Sequence, residues 1–96
     1  MITLDTLRAK RTELFAMAAA HKADNLRVFG SVARGDATES SDLDLLVHFS
    51  ADASLRDQIG LMNDAAKLFR TKVDVVSDES LSPFLSRRIL SEAVPL

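Results

Sequence analysis

Asp42 and Asp44, two positions apart, and the more distant Asp74 are the residues of this chain best suited to chemistry. Residues two apart on a β-strand project from the same face, so Asp42 and Asp44 would stand side by side while Leu43 and Leu45 point away. Carboxylates at that separation repel, and either a pKa rises or stability is lost unless a cation neutralises them. A ligand set made only of oxygens suits Mg²⁺ or Mn²⁺ better than zinc, which usually takes nitrogen or sulfur. Asp74 lies inside Lys72-Val73-Asp74-Val75-Val76-Ser77, an alternating β-branched run that reads as another strand able to lie beside the first. Three convergent acids can hold two metal ions. An isolated Asp-x-Asp is far more often a pair of solvated acids at a strand end, so the pair needs a companion feature.

That companion is Phe29-Gly30-Ser31, a hydrophobic residue followed by Gly-Ser at an expected strand-to-helix junction. Glycine lets the backbone approach a phosphate, and a serine hydroxyl and the free amides of a helix start can donate to its oxygens. Arg34 could reach the same phosphate or pair with Asp36 or another acid; the sequence leaves both open. Other motifs are weaker. Gly30 and Gly35 have P-loop spacing, but Asp36 stands where lysine is required, and no G-x-G-x-x-G fingerprint occurs. His21 and His48 are isolated and read as surface or strand-end residues. Ser31 lacks the G-x-S-x-G surroundings of a hydrolytic nucleophile.

The elements that must position these residues follow from periodicity. Leu4, Leu7, Leu14, Phe15 and Ala18 share a helical stripe, which predicts a helix from Leu4 to Lys22. Asp24-Asn25 offers turn chemistry before a strand over Leu26–Phe29, and a short helix from Ser31 to Arg34 would end at Gly35. Asp36 to Ser41 reads as a polar loop. Asp42 to Phe49 is apolar enough to predict a central strand covered on both faces. Leu55, Ile59, Met62, Ala66 and Phe69 recur at helical spacing, predicting a helix over Leu55–Phe69. Ser82-Pro83 has the form of an N-cap and first helical residue, opening a helix to about Ser91 before a Val94-Pro95-Leu96 tail. The order is that of an α/β domain with helices packed on a small sheet.

Bulk properties set the outer bounds. The 96 residues suffice for one core, so residues 1–96 are expected to form a single domain. With 47% hydrophobic and 27% charged residues the chain should fold. A formal charge of −2 with dispersed Lys and Arg disfavours direct nucleic-acid binding. The absence of cysteine, of a signal segment and of an apolar run of membrane-spanning length fits a cytoplasmic protein with no membrane association.

Gly30-Ser31-Val32-Ala33-Arg34-Gly35-Asp36, followed by Ser41-Asp42-Leu43-Asp44-Leu45-Leu46-Val47, resembles the signature of the minimal nucleotidyltransferases, small members of the DNA polymerase beta superfamily. The resemblance implies a polymerase-beta-like nucleotidyltransferase fold, α/β in the α+β sense, with helices on a small mixed sheet. It implies that Gly30 and Ser31, with Arg34, bind the triphosphate of ATP or another NTP. It further implies that Asp42, Asp44 and Asp74 are catalytic and bind two Mg²⁺ ions, or Mn²⁺. An acceptor hydroxyl would attack the α-phosphorus with pyrophosphate leaving. Many such proteins pair with a HEPN-family toxin and neutralise it as its antitoxin by placing AMP on a tyrosine. ATP is favoured by the resemblance alone, since there is no Trp or Tyr and the five Phe mostly read as core. A small-molecule nucleotidyltransferase of the antibiotic-modifying type and a catalytically idle binding antitoxin are the alternatives. The short chain suggests that acceptor-binding surface comes from another protein. Its apolar helix stripes could be satisfied within the fold or in a homo-oligomer.

Overall fold

The computed structural model describes residues 1–96 apart from the side chain of Leu85. Helix α1 (Leu4–Ala9) starts at Thr3, whose side chain accepts from the Thr6 amide in a reciprocal cap. The expected single helix over Leu4–Lys22 is instead broken at Lys10 (φ −113°, ψ 15°), and α2 (Arg11–Ala20) follows. Both Leu7 and Leu14 are fully buried on either side of this bend. Lys and Arg are good helix formers, so local propensity carries no signal for the break.

Strand β1 (Ala23–Phe29) begins earlier than predicted, because the reversal falls at Lys22 (φ 61°) and not at Asp24-Asn25. Asp24 pairs with His48 and Arg27 with Leu46, so Asn25 and Leu26 together oppose Val47. This is a β-bulge, and Asn25 takes its left-handed conformation at φ 50°. Helix α3 (Gly30–Arg34) ends, as expected, at Gly35 with φ 83°. After a loop come β2 (Leu43–Phe49), α4 (Leu55–Phe69), β3 (Val73–Ser77) and α5 (Pro83–Glu92). The expected tail is in part a short strand, β4 (Val94–Pro95), paired with β1 at Arg27 and Val28.

The sheet runs β3-β2-β1-β4 and is mixed: β2 and β3 are parallel, joined by the α4 crossover, while β1 is antiparallel to both β2 and β4. One face carries Val28, Leu43, Leu45, Val47, Val73 and Val75 into a core completed by Leu7, Leu14, Ala18, Leu61 and Ala65 from the helices. The thinnest dimension, 19 Å, is what one sheet and one helical layer require at about 10 Å each. The opposite face is only partly covered. On β2 it presents Asp44 and His48, both half-buried, around the fully buried Leu46, so the prediction of burial on both faces holds at Leu46 alone.

The α4 stripe is also displaced from its predicted phase. Its buried residues are Leu61 and Ala65, whereas Leu55 and Ile59 are 70% and 44% exposed. Phe15 on α2 is likewise exposed, and on α5 so are Phe84 and Leu90.

Candidate active site

Sheet register assembles the site. Phe29, the last residue of β1, opposes Asp44 on β2, and Asp44 is in register with Asp74 on β3. Neighbouring strands lie about 4.8 Å apart, so Gly30, Asp44 and Asp74 form a row across three strands although they are distant in sequence. Gly30 is the junction between β1 and α3, with φ 72°. The Asp44 carboxylate is packed so tightly against it that any Cβ at residue 30 would collide with Oδ2. Glycine is needed here twice over, for its backbone conformation and for the space.

Burial pushes the Asp44 carboxyl up to about 6, helped by the charges of Asp74 and Asp42 and by a hydrogen bond with Asp74; Arg34 pulls in the opposite direction. Asp42 lies just before β2, not within it. Its Oδ2 is 3.6 Å from Lys72 Nζ, an exposed lysine that precedes β3 and whose carbonyl accepts the Leu43 amide. Lys72 escaped the sequence reading, since its meeting with Asp42 exists only once β2 and β3 are aligned.

Arg34 ends α3 and pairs with Asp36 and with Glu92 of α5, each at 3.3 Å. Of the two options the sequence left open, the structure displays the acid pairing, while the influence of Arg34 on Asp44 keeps its charge close to the site. Glu92 carries no motif and was not foreseen. The Ser31 carbonyl accepts the amides of Gly35 and Asp36, which closes α3 tightly behind the glycine.

Among the described residues, the trio of potential ligand atoms lying within 4.8 Å of one another is His48, Asp78 and Glu79, toward the other end of β2. The three aspartates converge more loosely. Even so their carboxylates are the less engaged by neighbouring cations. His48 Nδ1 and Arg27 Nη2 already stand 3.1 and 3.7 Å from Asp78, whereas among the described residues the cation paired with the aspartates is the exposed Lys72. An oxygen-only set whose central member is pushed toward neutrality fits a hard divalent ion, which would relieve that repulsion.

Residues 16–96 match the model of the nucleotidyltransferase domain family. A Methanocaldococcus jannaschii relative, provisionally named a protein adenylyltransferase, is 39% identical over 74 residues, covering 77% of this chain and 80% of its own. The protein adenylyltransferase MntA of Thermococcus cleftensis is 40% identical over 67 residues, 70% of this chain and 68% of its own. A solved structure provisionally described as a minimal nucleotidyltransferase superposes with a TM-score of 0.88 at 46% identity, covering 99% of this chain and 97% of the other. A toxin–antitoxin complex crystallised with AMP-PNP contains a chain of the same fold, with a TM-score of 0.75 at 20% identity over 88% of this chain and 69% of that one. The Gly-Ser junction beside Asp44 thus sits in a fold and a sequence neighbourhood that agree, and the chain belongs to the nucleotidyltransferase domain family.

Proposed function

We propose that this nucleotidyltransferase moves AMP from ATP, with Mg²⁺, to a tyrosine hydroxyl of a HEPN-type toxin and so acts as its antitoxin. The observation that carries the reading is the row Gly30–Asp44–Asp74, in which a carboxyl raised to about 6 abuts a glycine whose missing side chain makes room for that carboxylate at the strand-to-helix junction. Relatives support the choice of donor and acceptor: two are named for protein adenylyltransfer, and one similar fold comes from a complex of an MNT antitoxin with a tri-AMPylated HEPN toxin of Shewanella oneidensis. The 96 residues contain no tyrosine, so an acceptor of that type lies on another molecule. Such a reaction belongs in the cytoplasm, where ATP is supplied.

In this reading Gly30 and Ser31 receive the triphosphate through backbone amides and the serine hydroxyl, and Arg34 adds a charged donor. Asp42, Asp44 and Asp74 hold two magnesium ions. Bound magnesium supplies charge neutralisation on the triphosphate and a lowered pKa for the acceptor hydroxyl. The acceptor oxygen forms a bond to the α-phosphorus as the bond to the bridging oxygen breaks, and pyrophosphate leaves in line. Asp74 faces the acceptor side and takes the hydroxyl proton, directly or through water.

Co-expression with a HEPN-type partner, followed by intact-mass measurement, tests the reading. The partner should gain the mass of AMP with the wild-type chain. With Asp42→Asn it should gain none while still co-purifying, because docking and chemistry use different surfaces. Labelled nucleotide appearing on a small molecule, with the partner unmodified, would instead establish the small-acceptor enzyme.

A further inference from the structure

Arg34 is held on two sides by acids from different parts of the chain. Its Nε donates to Asp36 Oδ2 and its Nη1 to Glu92 Oε2, each at 3.3 Å. Glu92 is only 24% exposed, and its second oxygen lies 3.7 Å from Arg88 Nε, one turn earlier on α5. The backbone at Glu92 is fixed from both directions, as the last residue of α5 and two residues ahead of the β4 strand that pairs with β1. A guanidinium offers five N–H donors, and two are engaged here by these acids.

Arg34 itself is 44% exposed and Asp36 62%, and ion pairs with partners open to solvent contribute little to stability, so a purely structural role explains the arrangement poorly. An arginine already fixed by its neighbours, by contrast, binds phosphate without first losing its side-chain freedom, which is what preorganisation supplies. Resting on the nucleotide-site reading above, we infer that Glu92 is a positioning residue, holding the Arg34 guanidinium from the end of α5 where the outer phosphates of ATP arrive beside Gly30 and Ser31.

Displacement of a fluorescent ATP analogue from the full chain by Mg-ATP and by AMP tests this. Arg34→Ala should weaken Mg-ATP about tenfold or more, the scale of one charge-assisted hydrogen bond. Glu92→Ala should weaken Mg-ATP about three- to tenfold and leave AMP, which lacks the outer phosphates, within about twofold. In the Arg34→Ala background Glu92→Ala should have no further effect, since the two act as one unit. Glu92→Gln keeps an acceptor oxygen without the charge; it should fall between wild type and Glu92→Ala, and it carries the test if the alanine variant fails to fold. Equal losses for ATP and AMP, additive losses in the double variant, or tighter Mg-ATP binding would each overturn the inference. A wild-type chain that binds no Mg-ATP removes the nucleotide-site reading and this inference with it, whereas normal wild-type binding with an unchanged Glu92 variant removes the inference alone.

Discussion

Asp44 draws its chemistry from three neighbours supplied by different segments: Gly30 against its carboxylate, Asp74 beside it on β3, and Asp42 two residues earlier. Gly30→Ala should therefore lower stability by about 1–3 kcal/mol, from the left-handed backbone and the collision with Asp44 together. It should also abolish Mg-ATP binding; urea unfolding and nucleotide titration check the two effects. Stability alone falling, with binding intact, would separate residue 30 from the site. His48 is a second titrating residue, away from that row. A hydrogen bond and the charge of Asp78 raise its pKa above 6.5 against an opposing effect of desolvation, with weaker help from the charges of Asp24 and Glu79. Because the folded value exceeds the unfolded one, the pairing stabilises fully below about pH 6.5 and is lost as pH rises through the folded value. NMR titration should show the His48 midpoint dropping in Asp78→Asn; an unmoved midpoint would dismiss the pairing.

At the level of elements, the seam between α2 and α4 is closed by His21, which caps α2. Its Nε2 lies 2.8 Å from Asp64 Oδ2 and its Nδ1 3.9 Å from Asp57 Oδ1, both on α4. Between those acids is Gly60, where an added Cβ would run into the imidazole. A mid-helix glycine normally costs about 0.5–1 kcal/mol relative to alanine, so Gly60→Ala should be stabilising on propensity alone. Here it should instead cost about 1–2 kcal/mol by overpacking. In a His21→Ala background the sign should reverse. Thermal unfolding of the four proteins of this cycle decides it, and stabilisation by Gly60→Ala in the wild-type background would show that the imidazole moves aside freely. The helix has its predicted bounds, and Met62, Ala66 and Phe69 of the predicted stripe pack against the core, but its first two members do not. Ile59 and Leu55 have the right spacing for a core stripe, but α4 turns Gly60, Leu61 and Asp64 toward its neighbours.

For the whole molecule, the division of labour is between the two faces of the sheet. The helices α1, α2 and α4, with Val32 of α3, cover one face with the apolar core. The other keeps Asp44 accessible while α3 and α5 flank it, α5 contacting both α3 and β1. The exposed Phe84 and Leu90 lie on α5, the element that also carries Glu92. No helix among the described residues is long and apolar enough to cross a membrane.

Sequence by itself determined most of the elements and which residues are available to the site. Gly35 took the positive φ expected of a glycine that ends a helix, because only glycine reaches that conformation cheaply, and Gly30 takes it as well. The Leu55–Phe69 helix has the predicted bounds, and the strand around Asp44 and that around Asp74 differ from prediction only at their first residue. These are local properties, written in periodicity and in single-residue conformational preference. Tertiary structure alone decided the rest. The bend at Lys10, the Asn25 bulge and the pairing of Val94–Pro95 with β1 arise from packing between segments that no local window contains. The same holds for Asp44 meeting Asp74 and for Glu92 reaching Arg34, 58 residues away in the chain. A one-residue change of strand register would turn every side chain of that strand to the opposite face. Which acids meet is therefore a property of the assembled sheet, while which acids are present is a property of the sequence.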